Sequence, residues 1–172
     1  LCYPMNKADA FYFINEKVTT ISKDAFTGNK NLQSLIIPDN VKTFEESAIS
    51  YTHELTAVIF ETKTFSTECA TNPFIENDKL EQIILRNDID KPTECSISLT
   101  ITNDIRTSMG DNDVWYIYEE VSKYLFIYGT GTIPDFTETE PNTWDGKNEE
   151  ITSMKIKDVT GIGSYVFGTL KN

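Results

Sequence analysis

His53 is the single histidine of the chain, and the search for proton-transfer chemistry begins there. A nucleophilic site needs an imidazole within hydrogen-bond reach of a Ser or Cys, with a third group to orient it. His53 lies in a turn-like stretch, Ser50-Tyr51-Thr52-His53-Glu54, with no Cys or Asp series beside it. It reads as a solvated loop residue. Adjacent carboxylates occur at Glu45-Glu46, Glu119-Glu120 and Glu149-Glu150. Successive strand side chains point to opposite faces, so such neighbours seldom share a site. A glycosidase needs two carboxyls facing each other across roughly 5 to 9.5 Å, and no spacing here argues for that. Asp111-Asn112-Asp113 offers oxygen ligands of the kind calcium takes but lacks the remainder of a calcium loop, and it reads as a turn. Gly129-Thr130-Gly131 is a fragment of a phosphate-loop pattern with no Lys or helix start after it, so it reads as a bend between Tyr128 and Ile133.

Cys2, Cys69 and Cys95 form neither a dense disulfide framework nor a CxxC metal pattern. Cys69 and Cys95 are 26 residues apart. A disulfide requires their Cα atoms within ~7 Å, which this spacing permits without requiring. Trp115, in a strand-like run, reads as core. Trp144, in an acidic loop after Pro141, is open to packing or to stacking on a sugar. No Asn-x-Ser/Thr acceptor is present, since Asn142-Thr143-Trp144 fails at its third position. The residues therefore nominate no catalytic, metal or cofactor site, no cofactor, and no enzyme. They leave the binding residues open.

The elements that would position any site follow from composition and period. At 172 residues the chain suits one domain, or two small ones sharing a core. With 39% hydrophobic and 12% aromatic residues it is too apolar for a disordered chain, and no apolar run approaches the ~18 residues of a membrane-spanning helix. The 19 Ile, 7 Val and 22 Thr far outnumber the 9 Leu and 6 Ala. Branched side chains lose rotamer freedom in helices and pack well on pleated surfaces, so the fold should be mostly β. A net charge of −12, spread evenly with no basic patch, makes nucleic acid and anionic lipid poor partners.

A repeat dominates the first half. Val18, Ile21, Phe26, Leu32 and Ile36 recur as Val41, Phe44, Ile49, Leu55 and Ile59, each 23 residues on, with Ala25 matched by Ala48. A third copy follows at 25 residues: Leu80 after Leu55, and Ile83-Ile84-Leu85 after Val58-Ile59-Phe60, its two extra residues falling in the Ser66–Asn72 stretch before Pro73-Phe74. Tyr12-Phe13-Ile14 precedes Leu35-Ile36-Ile37 by the same 23. A unit this short cannot form a core alone, but stacked units place equivalent side chains in ladders. The Leu-Ile-Ile segments become parallel strands ~4.8 Å apart. Phe26, Ile49 and Phe74 fill the interior from the opposite wall. The competing reading is an antiparallel sandwich whose strands recur by chance; matching at six positions favours the solenoid.

Val-Thr-x-Ile-x-x-x-Ala-Phe followed by Leu-x-x-Leu-Ile-Ile-Pro resembles the BspA-type leucine-rich repeat. The order Trp115, Leu125–Phe136, Trp144, Ile151, Val159-Thr160-Gly161-Ile162-Gly163 and Phe167 is similar to the leader that opens a fresh array in that family. The resemblance covers roughly residues 12–88 and 114–170. Phe44 and Ile49 depart from the family pattern by exchanging Ile and Phe.

Between the arrays, Cys95–Ile101 alternates as a strand, and Val114–Tyr118 and Tyr124–Tyr128 read as an antiparallel pair packing Trp115 and Leu125 inward. The expected fold is mostly β: a leucine-rich-repeat-like solenoid with short parallel strands, interrupted by a small antiparallel segment that starts a second array. The expected domains are a solenoid over 1–90, an antiparallel leader or capping segment with an acidic loop over 91–150, and a second array beginning at 151–172. The last coil opens at Phe167 without completing, which suggests part of a longer chain.

The family resemblance implies a secreted or cell-surface, non-enzymatic adhesion or protein-interaction module. Its partner would be a protein, host extracellular-matrix proteins among the candidates. The alternative is a passive spacer within a larger surface protein. A binder should present a contiguous apolar or aromatic patch and a spacer an evenly charged surface. On the solenoid's sheet face the expected exposed set is Gln33, Ser34, Thr56, Ala57, Glu81 and Gln82.

Overall fold

The computed structural model describes residues 3–61, 73–84, 106–109, 113–142 and 144–170. All three cysteines, the Ser66–Asn72 insertion, the Cys95–Ile101 run and Asp111-Asn112 lie outside the described residues. The chain divides into two units, Leu1–Asn103 and Asp104–Asn172.

In the first unit each apolar triplet of the repeat is one short strand. β1 (Phe11–Phe13), β3 (Ser34–Ile37), β5 (Ala57–Phe60) and β6 (Gln82–Ile84) form one parallel sheet in the order β1-β3-β5-β6. Tyr12 pairs with Leu35, Leu35 with Val58, and Val58 with Ile83. The 23- and 25-residue offsets are thus the rungs of one winding. At the next corner β2 (Thr20–Ile21) pairs in parallel with β4 (Thr43–Phe44), matching Ile21 to Phe44. Pro38 begins the turn from β3 into β4, and its carbonyl accepts from Val41 N–H at 3.2 Å. From the opposite wall Phe26 N–H donates to Ala48 and Ile49 N–H to Pro73, which stacks the coils a second time. Phe26, Ile49, Phe74, Leu35, Val58 and Ile83 share one buried core. Each such side chain contributes on the order of 2 kcal/mol through removal from water.

A polar ladder runs inside this core. Asn29 and Thr52 are fully buried, and Asn77 follows 25 residues after Thr52. Asn29 Nδ2 donates to Pro4 O at 2.9 Å, Thr52 Oγ1 to Phe26 O at 3.1 Å and Asn77 Nδ2 to Ile49 O at 2.5 Å. Each side chain thereby satisfies a carbonyl of the preceding coil. Asn29 Oδ1 accepts from the N–H groups of Asn31 and Leu32, and Asn77 Oδ1 accepts from Thr52 N–H. Buried backbone polar groups need such partners, and the corner is where the strand ladder cannot supply them.

The second unit begins antiparallel and ends parallel. β7 (Arg106–Ser108), β8 (Val114–Glu119) and β9 (Tyr124–Gly129) run antiparallel, and β11 (Ser153–Lys157) then joins β9 in parallel, in the order β11-β9-β8-β7. β10 (Thr132–Ile133) and β12 (Gly161–Ile162) pair in parallel beside them. Leu125 meets Met154 and Ile133 meets Ile162, both 29 residues apart, so a longer coil repeats the corner geometry of the first unit. Gly129 permits the bend between β9 and β10: its φ is +145°, and a Cβ there would lie 2.0 Å from Asp113 O. The acidic loop carries one short 3-10 turn, Trp144–Gly146.

Two expectations are corrected. Trp115 is half-buried and outside the second core, whereas Tyr116 is 6% exposed and inside it. Strand alternation sends Val114, Tyr116 and Tyr118 to the face that meets Leu125 and Ile127, leaving Trp115 on the other. Ser34 and Ala57, expected on an exposed sheet face, are buried, as are Ile36, Ile59 and Ile84 beside them. The uninterrupted apolar triplets are the signature of parallel strands closed to water on both sides. Thr56 and Gln33 are half-buried and Glu81 is exposed.

Candidate interaction surfaces

With both sides of the strand ladder shut off, the accessible surface of the first unit includes its turns. Successive coils place Gly28, Tyr51 and Glu76 at one turn position, all in the left-handed backbone region with φ of 75°, 55° and 57°. A glycine suits this conformation, and a tyrosine there is held by its surroundings. Tyr51 N–H donates to Ile75 O at 3.1 Å, which locks that turn to the next coil. Tyr51 is 47% exposed, and the neighbouring Ile75 is 37% exposed.

Two polar contacts border this apolar pair. His53 Nδ1 lies 3.2 Å from Asp78 Oδ2, and its ring meets Tyr51 edge-on at 6.4 Å. Lys79 Nζ reaches Glu54 at 2.7 Å. Both pairs join residues 25 apart, one coil to the next. His53 is solvated, as its turn position implies, but the ladder brings it an aspartate that is remote in sequence. At the other corner Lys23 Nζ pairs with Glu46 at 3.0 Å and Lys23 N–H donates to Glu45 at 2.8 Å. Glu45 and Glu46 thus both meet Lys23, one at its backbone N–H and the other at its ammonium group. All these groups are well exposed, so each pair is worth at most about 1 kcal/mol.

In the second unit the adjacent glutamates separate. Glu119 is buried at the β8–β9 turn, where its carboxylate accepts from Val121 N–H, Ser122 N–H and the Ser122 hydroxyl. Glu120 and Glu150 instead share two lysines: Lys123 Nζ lies 2.7 Å from Glu150 and 3.3 Å from Glu120, and Lys147 Nζ lies 2.8 Å from Glu120. Hydrogen bonds from Lys147 hold the Glu120 carboxyl below its ordinary range, and those from Lys123 do the same for Glu150. The bond to Glu150 likewise raises Lys123. Both ammonium groups lie over the Tyr118 ring, at 5.8 and 5.4 Å. Burial raises the Tyr118 phenol.

A cleft of about 310 Å³ opens between the β7–β8 hairpin and the segment after β10. Met109, Tyr116, Pro134 and Phe136 form its apolar walls, with Asp135 and Asn142 beside them. Trp144, completely buried, backs it, meeting Tyr116 edge-on at 5.3 Å and stacking on Phe167 at 5.9 Å. Trp144 is therefore packing rather than a sugar platform. Among the described residues no group of three or more His, Cys, Asp or Glu could hold a metal, and no helix is long and apolar enough to cross a membrane.

Sequence reasoning missed Tyr51 and Ile75. The available signal was the coil alignment itself, in which a tyrosine replaces Gly28 at a turn position that no core side chain occupies.

Short parallel strands stacked coil upon coil, with a polar ladder at one corner, define a leucine-rich-repeat-like fold. A model of the BspA type leucine rich repeat region matches residues 7–115, and the chain belongs to that family. Among solved structures it is similar to a leucine rich cell surface protein from Faecalibacterium prausnitzii A2-165, at 17% identity and a TM-score of 0.36. That match covers 51% of this chain and 29% of the other, so the chain spans under a third of that protein's length. No curated protein matches.

Proposed function

We propose that the chain is a non-enzymatic protein-interaction module of a secreted or cell-surface protein, acting in adhesion, with extracellular-matrix proteins of a host as the partner class. Family membership supports the interaction role and the surface location. The observation that carries binding over passive spacing is the exposed Tyr51–Ile75 pair, an apolar spot bordered by the His53–Asp78 and Glu54–Lys79 pairs. Exposed aromatic residues within a polar rim are what protein interfaces use as anchors. In the same reading residues 1–90 are the solenoid, 91–150 the leader, and 151–172 the start of a second array, which the parallel pairing of β11 with β9 supports.

The test is binding of the purified chain to immobilised fibronectin, fibrinogen and collagen. Saturable binding that falls at least tenfold in Tyr51→Ser/Ile75→Ser, with unchanged thermal stability, supports adhesion. Absence of binding to any matrix protein, or binding indifferent to these substitutions, favours the spacer.

A further inference from the structure

The carboxylates at the cleft of the second unit differ from Glu120 and Glu150 in having no lysine beside them among the described residues. Glu120 and Glu150 are neutralised by Lys123 and Lys147. At the cleft mouth Asp135 is exposed, and Glu138 and Glu140 stand exposed on the turn that follows. Among the described residues no cation pairs with any of the three. That turn is held by Glu140 N–H donating to Thr137 Oγ1 at 2.9 Å and Thr137 N–H donating to Glu140 O at 3.3 Å.

The wall carrying Asp135 is fixed by the next coil. Phe136 N–H donates to Ser164 O at 2.8 Å and Ser164 N–H donates to Asp135 Oδ1 at 2.6 Å. Gly163 backs Pro134 so closely that a Cβ would meet its carbonyl at 2.5 Å. These Ser164 bonds keep the Asp135 carboxyl below the usual carboxylate range, so it is ionised wherever the protein is folded near neutral pH. Apolar walls therefore stand beside one ionised carboxylate, Asp135, and two further exposed carboxylates follow it in the next five residues. The volume is at the low end of small-ligand sites, enough for one long side chain and too little for a folded segment.

We propose that this cleft is a specificity pocket for a lysine or arginine side chain of the protein partner, its aliphatic stem lying on Met109 and Phe136 and its cationic head meeting Asp135, Glu138 and Glu140. Long cationic side chains bind in this way because the stem is apolar while the head keeps its charge partners. On a chain of net charge −12 the surrounding field draws the same class of ligand. The assignment rests on the interaction-module reading, but its test uses small probes and is independent of any whole-partner assay.

The experiment is NMR titration of the full chain, labelled in amide 15N and methionine 13C-methyl, with N-acetyl-arginine amide, N-acetyl-lysine amide and N-acetyl-norleucine amide. The chain has three methionines, and Met5 and Met154 line no part of the cleft, so they serve as internal controls. Saturable shifts of Met109 and Phe136 with either cationic probe, and none with norleucine, are expected. Asp135→Asn retains the acceptor for Ser164 and should weaken the cationic probe about fivefold; Glu138→Gln/Glu140→Gln should do the same without touching the wall. Raising salt from 0.05 to 0.5 M should weaken it further. Equal response to norleucine, or shifts confined to Glu138 and Glu140 with Met109 silent, would overturn the pocket. If the cationic probes bind here while matrix proteins do not bind the chain, the pocket stands and the partner class of the adhesion reading fails.

Discussion

At the scale of single residues, the corners carry the polar demands of the winding. Asn29→Ala removes the acceptor for two backbone N–H groups and the donor to Pro4 O. It should cost about 2 to 3 kcal/mol in urea unfolding, and Thr52→Val, which loses the bond to Phe26 O, about 1 kcal/mol. Gly129→Ala should cost about 3 kcal/mol or more, because the new methyl would strike Asp113 O in a conformation side chains rarely adopt. The Lys123–Lys147 cluster predicts a pH dependence. Glu120 and Glu150 are depressed below the ordinary 4.5, so their contribution is full above that value and lost as pH falls through their lower folded values. Lys123 is raised above 10.5, so its contribution is full below that value and lost only at still higher pH. Melting curves between pH 7 and pH 3 should therefore show a steeper acid decline in the native chain than in Glu120→Gln/Glu150→Gln.

At the scale of elements, the parallel pairing of the first unit was legible from spacing alone. The matches of Leu35 to Val58 and Ile21 to Phe44 state the register that the sheets adopt. What could not be read was which strand faces meet water. The Leu-Ile-Ile triplets carry that message, since alternation is absent, but the repeat invites an open outer face. Trp115 was misplaced for a related reason: on a strand with apolar residues on both sides, size gives no direction. The doubly closed sheet makes a testable difference. Ile36→Lys and Ile59→Lys should destabilise as severely as Leu35→Lys, by about 3 kcal/mol or more, whereas an open outer face would leave the first two near neutral. The ion pairs between coils were not legible, because they join residues 23 to 27 apart whose pairing depends on corner lengths, and the cleft draws on segments just as remote. Glu120 and Lys147 give no sequence sign of meeting.

At the scale of the whole molecule, charge and period speak to different questions. The period gives the family and the fold. The net charge of −12 and the dispersed lysines speak against polyanion binding, so the chain should pass unretained through a heparin column at about 0.1 M salt. Neither property identifies a partner. The features that could do so are Tyr51 with Ile75 in one unit, on turns, and the cleft in the other, which connecting residues such as Asp135 and Phe136 complete against Tyr116 of β8. Such segments are where a rigid scaffold can carry recognition without disturbing its own packing.

The unequal offsets of 23, 25 and 29 residues leave the strand partners aligned while the connecting arc changes length. Lengthening a flexible arc adds little closure entropy, on the order of a few tenths of a kcal/mol for several residues. A chain of this design can therefore restyle its outline one lap at a time, trading new contours for old at small thermodynamic expense, while its spine keeps step.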